Sequence, residues 1–467
     1  MRILQVNTFA AKVGGAEIYM HHLIDELRAR GHQVGLFASD PNEERRTADE
    51  CVVQRPEWSG DSLIGDKAVV AAWKDFADEF QPELIHVHNL HTFPVYFVQA
   101  LAEVGVPILQ TVHDFGLLCP NSWCVWPDGR VCEGGAGQKC FEHGCESNYP
   151  YDGRVVLSVR LRYEAVRRAI DHFVAPSYFL AEKMGEHGFQ PSEGLPLWVD
   201  ESAADKLPDP RPERAPNRVL FVGRLVREKG VEFLVRAWPK VLAKVPNAEL
   251  WIAGDGPELE PLRELAGKLG LNPEETLRGR VPHEQVAELM ATATCLVLPS
   301  IWCENSPLTT YESYLMGLPL VASDIAGLPE RVVEGELGLL ARPRDPDHLA
   351  ERIVELLSDR ELQKRLQAGC LAAVPKYSKQ IHMEKLLGIY ERMTTDEVLL
   401  AKRQPIDVDV LAGANALFQR FGELERWAQD MQKHIHYLEG KPADAPLATG
   451  PGQGGLKGKL KRMLKPR

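Results

Sequence analysis

The feature that most constrains this chain is a recurring unit. A short run of β-branched and leucyl residues is followed by a glycine turn, an amphipathic helix and the next apolar run. Residues 2–9 read as a buried strand, followed by Gly14 and Gly15. A helix is expected over 16–30, with Ile18, Leu23, Ile24 and Leu27 on its apolar stripe. Gly31 stands where a C-cap glycine belongs, and 34–38 is the next strand. A crossover of this length returns the chain parallel to its first strand. Residues 84–87, 107–112 and 172–176 repeat the strand signal with helical patterns before them. Such alternation implies a parallel sheet covered on both faces.

The unit is interrupted once. Over 208–216 four prolines alternate with charged residues, which reads as an exposed linker. The pattern then restarts, with strands at 218–223, 249–253, 295–298 and 319–322 and a helix over 231–245. The expected fold is therefore α/β: two Rossmann-like, doubly wound domains, 1–207 and 217–376, with helices over 377–400 packing back on the core. In 401–440, Leu417, Leu424, Met431 and Leu438 recur at sevens, with Phe421, Ala428 and Ile435 between them. A coiled coil, pairing two copies through 410–438, and a packed amphipathic helix both fit. Residues 441–467 read as a disordered linker and a basic tail.

Composition removes several classes. Of 467 residues, 26% are charged and 44% apolar, an ordinary soluble balance. A formal net charge of −12 argues against nucleic acid as a partner. Nine cysteines are too few for a disulfide scaffold, and no run approaches the ~18 apolar residues of a membrane span. The N-terminus carries no signal-peptide pattern, so a cytoplasmic location is expected. Specific chemistries are missing too. The Gly-Lys pairs are followed by Leu269, Pro442 and Leu460, not by the Ser or Thr of a phosphate-binding P-loop. No Gly-x-Gly-x-x-Gly follows the first strand, and there is no Gly-x-Ser-x-Gly elbow. His283-Glu284 lacks the second histidine of a zinc-protease helix.

The strongest constellation lies after the strand 295–298. Pro299 and Ser300 lead into a loop carrying Glu304, with Ser306 as an expected N-cap and Pro307 as the first helical residue. The backbone N–H groups of Leu308 and Thr309 would then point out of a helix N-terminus, a good phosphate site. Glu304 precedes that terminus and Glu312 lies in the second turn, so the two carboxylates flank it. A second element, Gly223 through Gly230, follows a strand and brings Arg224 and Lys229 to one loop, where both could reach one diphosphate. A third, Gly254-Asp255-Gly256-Pro257, lets backbone approach a ligand closely.

Taken together, these elements resemble the retaining glycosyltransferases of family 4, with the two-domain GT-B fold. The resemblance rests on Gly14-Gly15-Ala16-Glu17, His113-Asp114, the 224–230 run, Gly254-Asp255-Gly256-Pro257 and Glu304 through Glu312, and covers roughly 1–395. The segment 323–330 is similar to the family's as well, with Ala326 where Gly is usual, and Ser313 stands where Ala is usual. The resemblance implies that a nucleotide sugar lies in a cleft between the domains and passes its sugar to a glycan acceptor, lipid-linked in surface polysaccharide synthesis. Arg224 and Lys229 would hold the diphosphate, Glu304 the sugar hydroxyls and Glu312 the ribose. Gly15 would approach the phosphates, Gly256, Leu308 and Thr309 would line the donor site, and His113 would face the reacting sugar. Retention is assigned in this family to front-face attack, with the leaving diphosphate helping to take the acceptor proton. Two cations and a helix N-terminus would meet that charge, so no cofactor is required for catalysis. An epimerase or phosphorylase on the same fold, and a silent scaffold, are the alternatives.

Three further features stay open at this level. His86, His88 and His91 fit a metal less well than packing or acceptor contacts. Cys119, Cys124, Cys132, Cys140 and Cys145 crowd one loop, 119–145. A structural zinc on Cys119, Cys132, Cys140 and Cys145, free thiols and a redox role all fit the spacing. In 455–467 six basic residues accompany Leu456, Leu460 and Leu464. As a helix this would lie on an anionic membrane surface, making the protein peripheral to the inner face; as coil it is a solubilising tail.

Overall fold

The computed structural model describes residues 1–395 except 41, 55–66, 92, 144, 146–152, 200 and 202–212. The expected helix over 401–440 and the tail beyond it lie outside the described residues, as does most of the expected linker.

The first sheet is built from β1 (Arg2–Asn7), β2 (Gln33–Ala38), β3 (Arg45–Arg46), β4 (Glu50–Val52), β5 (Leu84–Val87), β6 (Ile108–Thr111), β7 (His172–Ala175) and β8 (Ser192–Gly194). Their spatial order is β3-β4-β2-β1-β5-β6-β7-β8, parallel except at the β3–β4 edge. From Ile3 to Asn7 every side chain of β1 is buried, as expected for a strand covered on both faces. It stops at Asn7, short of the expected residue 9. There the side-chain amide donates to the Phe9 carbonyl at 2.8 Å and its oxygen accepts from Asn89 N at 2.9 Å, so the chain turns. The helix α1 (Gly15–Ala29) follows, burying Tyr19, Met20, Leu23, Ile24 and Leu27. The edge strand β3 and the short β8 carry charged or small residues and give no apolar run to read. A charged edge also resists pairing with another chain.

The second sheet comprises β9 (Arg218–Val222), β10 (Glu249–Ala253), β11 (Leu277–Gly279), β12 (Cys295–Leu298), β13 (Leu320–Ser323) and β14 (Gly338–Ala341), all parallel, in the order β11-β10-β9-β12-β13-β14. Its core packs Val219, Phe221, Leu234, Trp238, Ile252 and Val297 with Leu349, Ile353 and Leu356. In each sheet the strand order reverses once: between β1 and β5, and between β9 and β12. A doubly wound sheet binds ligands outside the carboxyl ends of the strands at such a point. The loops that follow these four strands are therefore where a site belongs.

Where the linker was expected, its far end is anchored: Arg214 donates to the carbonyls of Ala293 and Met316, each at 2.8 Å. A C-terminal helix, Lys379–Thr395, lies against the first sheet, with Tyr390 bonded to His86 at 2.6 Å and His382 to Tyr19 at 2.9 Å. Among the described residues no helix is long and apolar enough to cross a membrane.

Candidate active site

Three loops of the second domain are stacked backbone against backbone. After β9 a single 3₁₀ turn, Arg227–Lys229, closes at Gly230 with φ +65°, in the left-handed region. A Cβ at Gly230 would stand 2.0 Å from the Pro299 carbonyl oxygen, so the loop after β9 lies directly on the loop after β12. Ile301 N donates to Glu228 O at 2.9 Å across the same seam. A Cβ at Gly254 would meet Gly223 O at 1.9 Å, and one at Gly256 would meet Leu225 O at 2.4 Å. Packing against these loops thus accounts for both glycines, and Gly256, expected to line the donor site, touches Leu225.

This stacking delivers Lys229 to Glu304. The ammonium donates to Glu304 Oε1 at 2.7 Å, Ser300 Oγ donates to the same oxygen at 2.6 Å, and Nζ lies 5.4 Å from the centre of the Trp302 ring. Glu304 is only 5% exposed. Burial works against its ionisation, but the Lys229 charge and the hydrogen bonds outweigh it and hold the carboxyl below the usual carboxylate range. Arg224, from the same loop as Lys229, is exposed and makes no ion pair among the described residues.

The helix after the loop is Leu308–Leu315, one residue later than expected, with Pro307 as its N-cap. Ser306 does not cap it, because its hydroxyl is bonded to the Tyr311 hydroxyl at 2.7 Å. Proline at the cap position supplies no side-chain acceptor. The first backbone bond within this turn is from Thr310 N to Pro307 O at 3.0 Å. Leu308 and Thr309 stand before it, half-buried, and Glu312 is half-buried in the second turn. Gly15 of the first domain meets this terminus: a Cβ there would lie 3.4 Å from Leu308 Cδ1. Ser313, the departure at 313, is satisfied by donating to Thr310 O at 2.7 Å.

Asn305, inside the 304–312 run but given no role from the sequence, joins the two domains. Its Nδ2 donates to His113 O at 2.8 Å and its Oδ1 accepts from Ser177 Oγ at 2.5 Å. His113 is thereby placed beside the Glu304 loop. Burial pushes its imidazole down to about 4, against the opposing charge of Asp114, so it is neutral at pH 7. The segment after β13 completes the seam: Gly327 N donates to Glu304 O at 2.9 Å, and the Glu330 carboxylate accepts from the N–H groups of Tyr178 and Phe179 at 2.9 and 2.6 Å. Ala326, in this segment, has φ +51°. A left-handed alanine costs about 1 kcal/mol, which gives the family's usual glycine its reason. Ala326→Gly is expected to raise stability by about 1 kcal/mol, read as a higher urea midpoint at unchanged slope.

In loop 119–145 the four expected zinc ligands do not converge. Among the described residues no three His, Cys, Asp or Glu side chains form a metal-ligand group, and this holds for His86, His88 and His91 as well. The Cys119 thiol donates to Asn121 Oδ1 at 2.8 Å, Cys132 Sγ accepts from Gly134 N at 3.4 Å, and Cys140 packs with Ala136, Val156 and Val159 beside Cys145. The loop instead crosses to the second domain: Cys303 N donates to Trp123 O at 2.9 Å and its thiol to Cys124 O at 3.4 Å.

Residues 13–202 match the family described as Glycosyltransferase Family 4, and 205–369 match Glycosyl transferases group 1. The α-D-kanosaminyltransferase of Streptomyces kanamyceticus is 33% identical over 177 residues, 38% of this chain and 45% of that protein. Here the chain thus spans less than half the length of a curated relative that it matches. A GDP-mannose-dependent α-(1-6)-phosphatidylinositol monomannoside mannosyltransferase of Mycobacterium tuberculosis is 33% identical over 376 residues, 77% of this chain and 89% of that protein. Among solved structures, HepE from Anabaena in complex with UDP superposes with a TM-score of 0.62 at 17% identity, over 84% of this chain and all of that one. That likeness shows the shared GT-B fold. With a relative matched at this identity over most of both chains, the protein belongs to the family 4 glycosyltransferases of the group 1 type.

Proposed function

We propose that the protein is a retaining glycosyltransferase that moves a sugar from a nucleoside-diphosphate donor to a lipid-linked glycan acceptor. The observation that carries this reading is the ion pair of half-buried Lys229 with buried Glu304, seated at the strand-order reversal beside the N-terminus of the helix Leu308–Leu315. In this reading the donor diphosphate lies against that N-terminus, with Lys229 and Arg224 as its cations. Glu304 takes sugar hydroxyls and Glu312 the ribose. The acceptor hydroxyl forms its bond to the anomeric carbon on the face the diphosphate leaves. The carbon–phosphate-oxygen bond breaks, and the proton passes to the departing phosphate oxygen. Positive charge and backbone dipoles aimed at that oxygen lower the barrier, and no cofactor is called upon.

Two names support parts of this reading. The mycobacterial relative is described as using GDP-mannose and a phosphatidylinositol monomannoside, which supports a nucleotide donor and a lipid-bearing acceptor. HepE was solved with UDP, which supports the same donor class. The experiment is release of nucleoside diphosphate from a panel of nucleotide sugars, with and without membrane-extracted glycolipid acceptor. Acceptor-dependent release supports the reading; release that ignores every acceptor, or none at all, defeats it. The basic tail 455–467 fits this scheme as a reversible contact to anionic lipid, at about 1 kcal/mol per basic residue. Sedimentation with anionic liposomes should then fall with salt, and a chain ending at Gly450 should stay in the supernatant.

A further inference from the structure

The buried histidines that the proposed reaction does not use form a directed chain ending at His113. His88 Nε2 lies 2.8 Å from Gln5 Oε1, a carbonyl oxygen that only accepts, so this nitrogen carries the hydrogen. His88 is 1% exposed, and the ring of His86 stacks on it at 4.4 Å. His86 is itself satisfied at both nitrogens, by Tyr390 OH at 2.6 Å and Thr111 Oγ1 at 2.7 Å. Burial holds His86 and His88 neutral. A neutral His88 protonated at Nε2 has a bare Nδ1, and that atom lies 3.0 Å from His113 Nε2. His113 Nε2 must therefore donate, which leaves His113 Nδ1 as an acceptor.

From this geometry we propose that His88, backed by Gln5, is a positioning residue that fixes His113 in its Nε2–H tautomer, so that His113 Nδ1 accepts a hydrogen bond from a hydroxyl of the donor sugar. The inference rests on the proposed function, together with the expectation from the family resemblance that His113 faces the sugar. It adds a polarity to that contact: His113 selects a group that can donate. Were the Gln5 amide turned over, every hydrogen in the chain would reverse and His113 would offer an N–H instead.

The test reads the tautomer and the kinetics separately. In ¹⁵N-histidine protein, with the His113 signals assigned by His113→Gln, the wild type should show Nε2 protonated and Nδ1 bare. His88→Phe removes the acceptor that sets this state, whereas the amide oxygen of His88→Asn stands near the Nδ1 position and keeps it. His88→Phe should lower kcat/KM for the nucleotide sugar about tenfold, the loss of one aligned hydrogen bond. Affinity for free nucleoside diphosphate should not change, and His88→Asn should recover most of the loss. Should His88→Phe fail to fold, Gln5→Leu releases the same lock one residue further back and reads the same nitrogen shifts. A wild-type His113 protonated at Nδ1, or equal impairment in His88→Asn and His88→Phe, overturns the proposal. A wild type inactive with every nucleotide sugar would defeat the functional reading instead, and leave the tautomer measurement standing.

Discussion

Lys229→Ala is expected to slow sugar transfer by two to three orders of magnitude, about 3–4 kcal/mol, the range seen when a group that stabilises developing negative charge is removed. The same substitution has a second cost. Glu304 is buried and its Oε1 is held by Lys229 at 2.7 Å, so removing the cation strands a carboxylate away from water. Breaking one side of such a pair costs about 3 kcal/mol of stability. The two losses are separable. Adding Glu304→Gln to Lys229→Ala removes the stranded charge, so the urea midpoint should recover towards that of the wild type while turnover stays low. Full turnover in Lys229→Ala with a donor that the wild type uses would remove Lys229 from the diphosphate site. Recovery of both properties in the double variant would make Lys229 a partner for Glu304 alone.

The second large effect is structural. Gly230→Ala should cost about 3–5 kcal/mol of stability. Its φ of +65° already costs an L-residue about 1 kcal/mol. The added Cβ would also stand 2.0 Å from Pro299 O, a backbone atom that cannot swing aside. Relief requires the loop after β9 to part from the loop after β12, which would separate Lys229 from Ser300 and Glu304. Gly105→Ala is the control. That residue has φ +79° with nothing within 4 Å of a Cβ, so it carries the backbone cost alone, about 1 kcal/mol. Equal urea midpoints for the two variants would show that the loops do not meet as closely as described.

Much of this architecture was legible because parallel strands covered on both faces must be apolar throughout. Residues 295–298 are a run of that kind, and 249–253 is apolar after Glu249; both are strands where expected. The edges were not legible. Arg45–Arg46 and Ser192–Gly194 are short and pair on one side only, so they need no apolar signature. At the site, Lys229 and Glu304 could be chosen from their places in two loops, but their pairing arises from the stacking of those loops through Gly230 and Pro299. The helix start was misread because a serine before a proline is a good local cap, while the structure spends the Ser306 hydroxyl on Tyr311. Asn305 and the Gln5–His88–His113 chain were out of reach for another reason. Each joins residues far apart in sequence, and neither spacing nor periodicity records such contacts.

In the proposed reading a nucleoside diphosphate sits between the stacked loops and the N-terminus of the helix Leu308–Leu315, with Glu312 on its ribose and Glu304 beyond it on the sugar. Calorimetry of free UDP and GDP with the wild type, Glu312→Gln and Glu304→Gln is the test. One of the two nucleotides should bind the wild type, and Glu312→Gln should weaken it about tenfold, the loss of one charge-assisted hydrogen bond. Glu304→Gln should leave binding equal or tighter, since Lys229 then has no carboxylate competing with the phosphates. Failure of both nucleotides to bind the wild type, or a larger loss in Glu304→Gln than in Glu312→Gln, would contradict it.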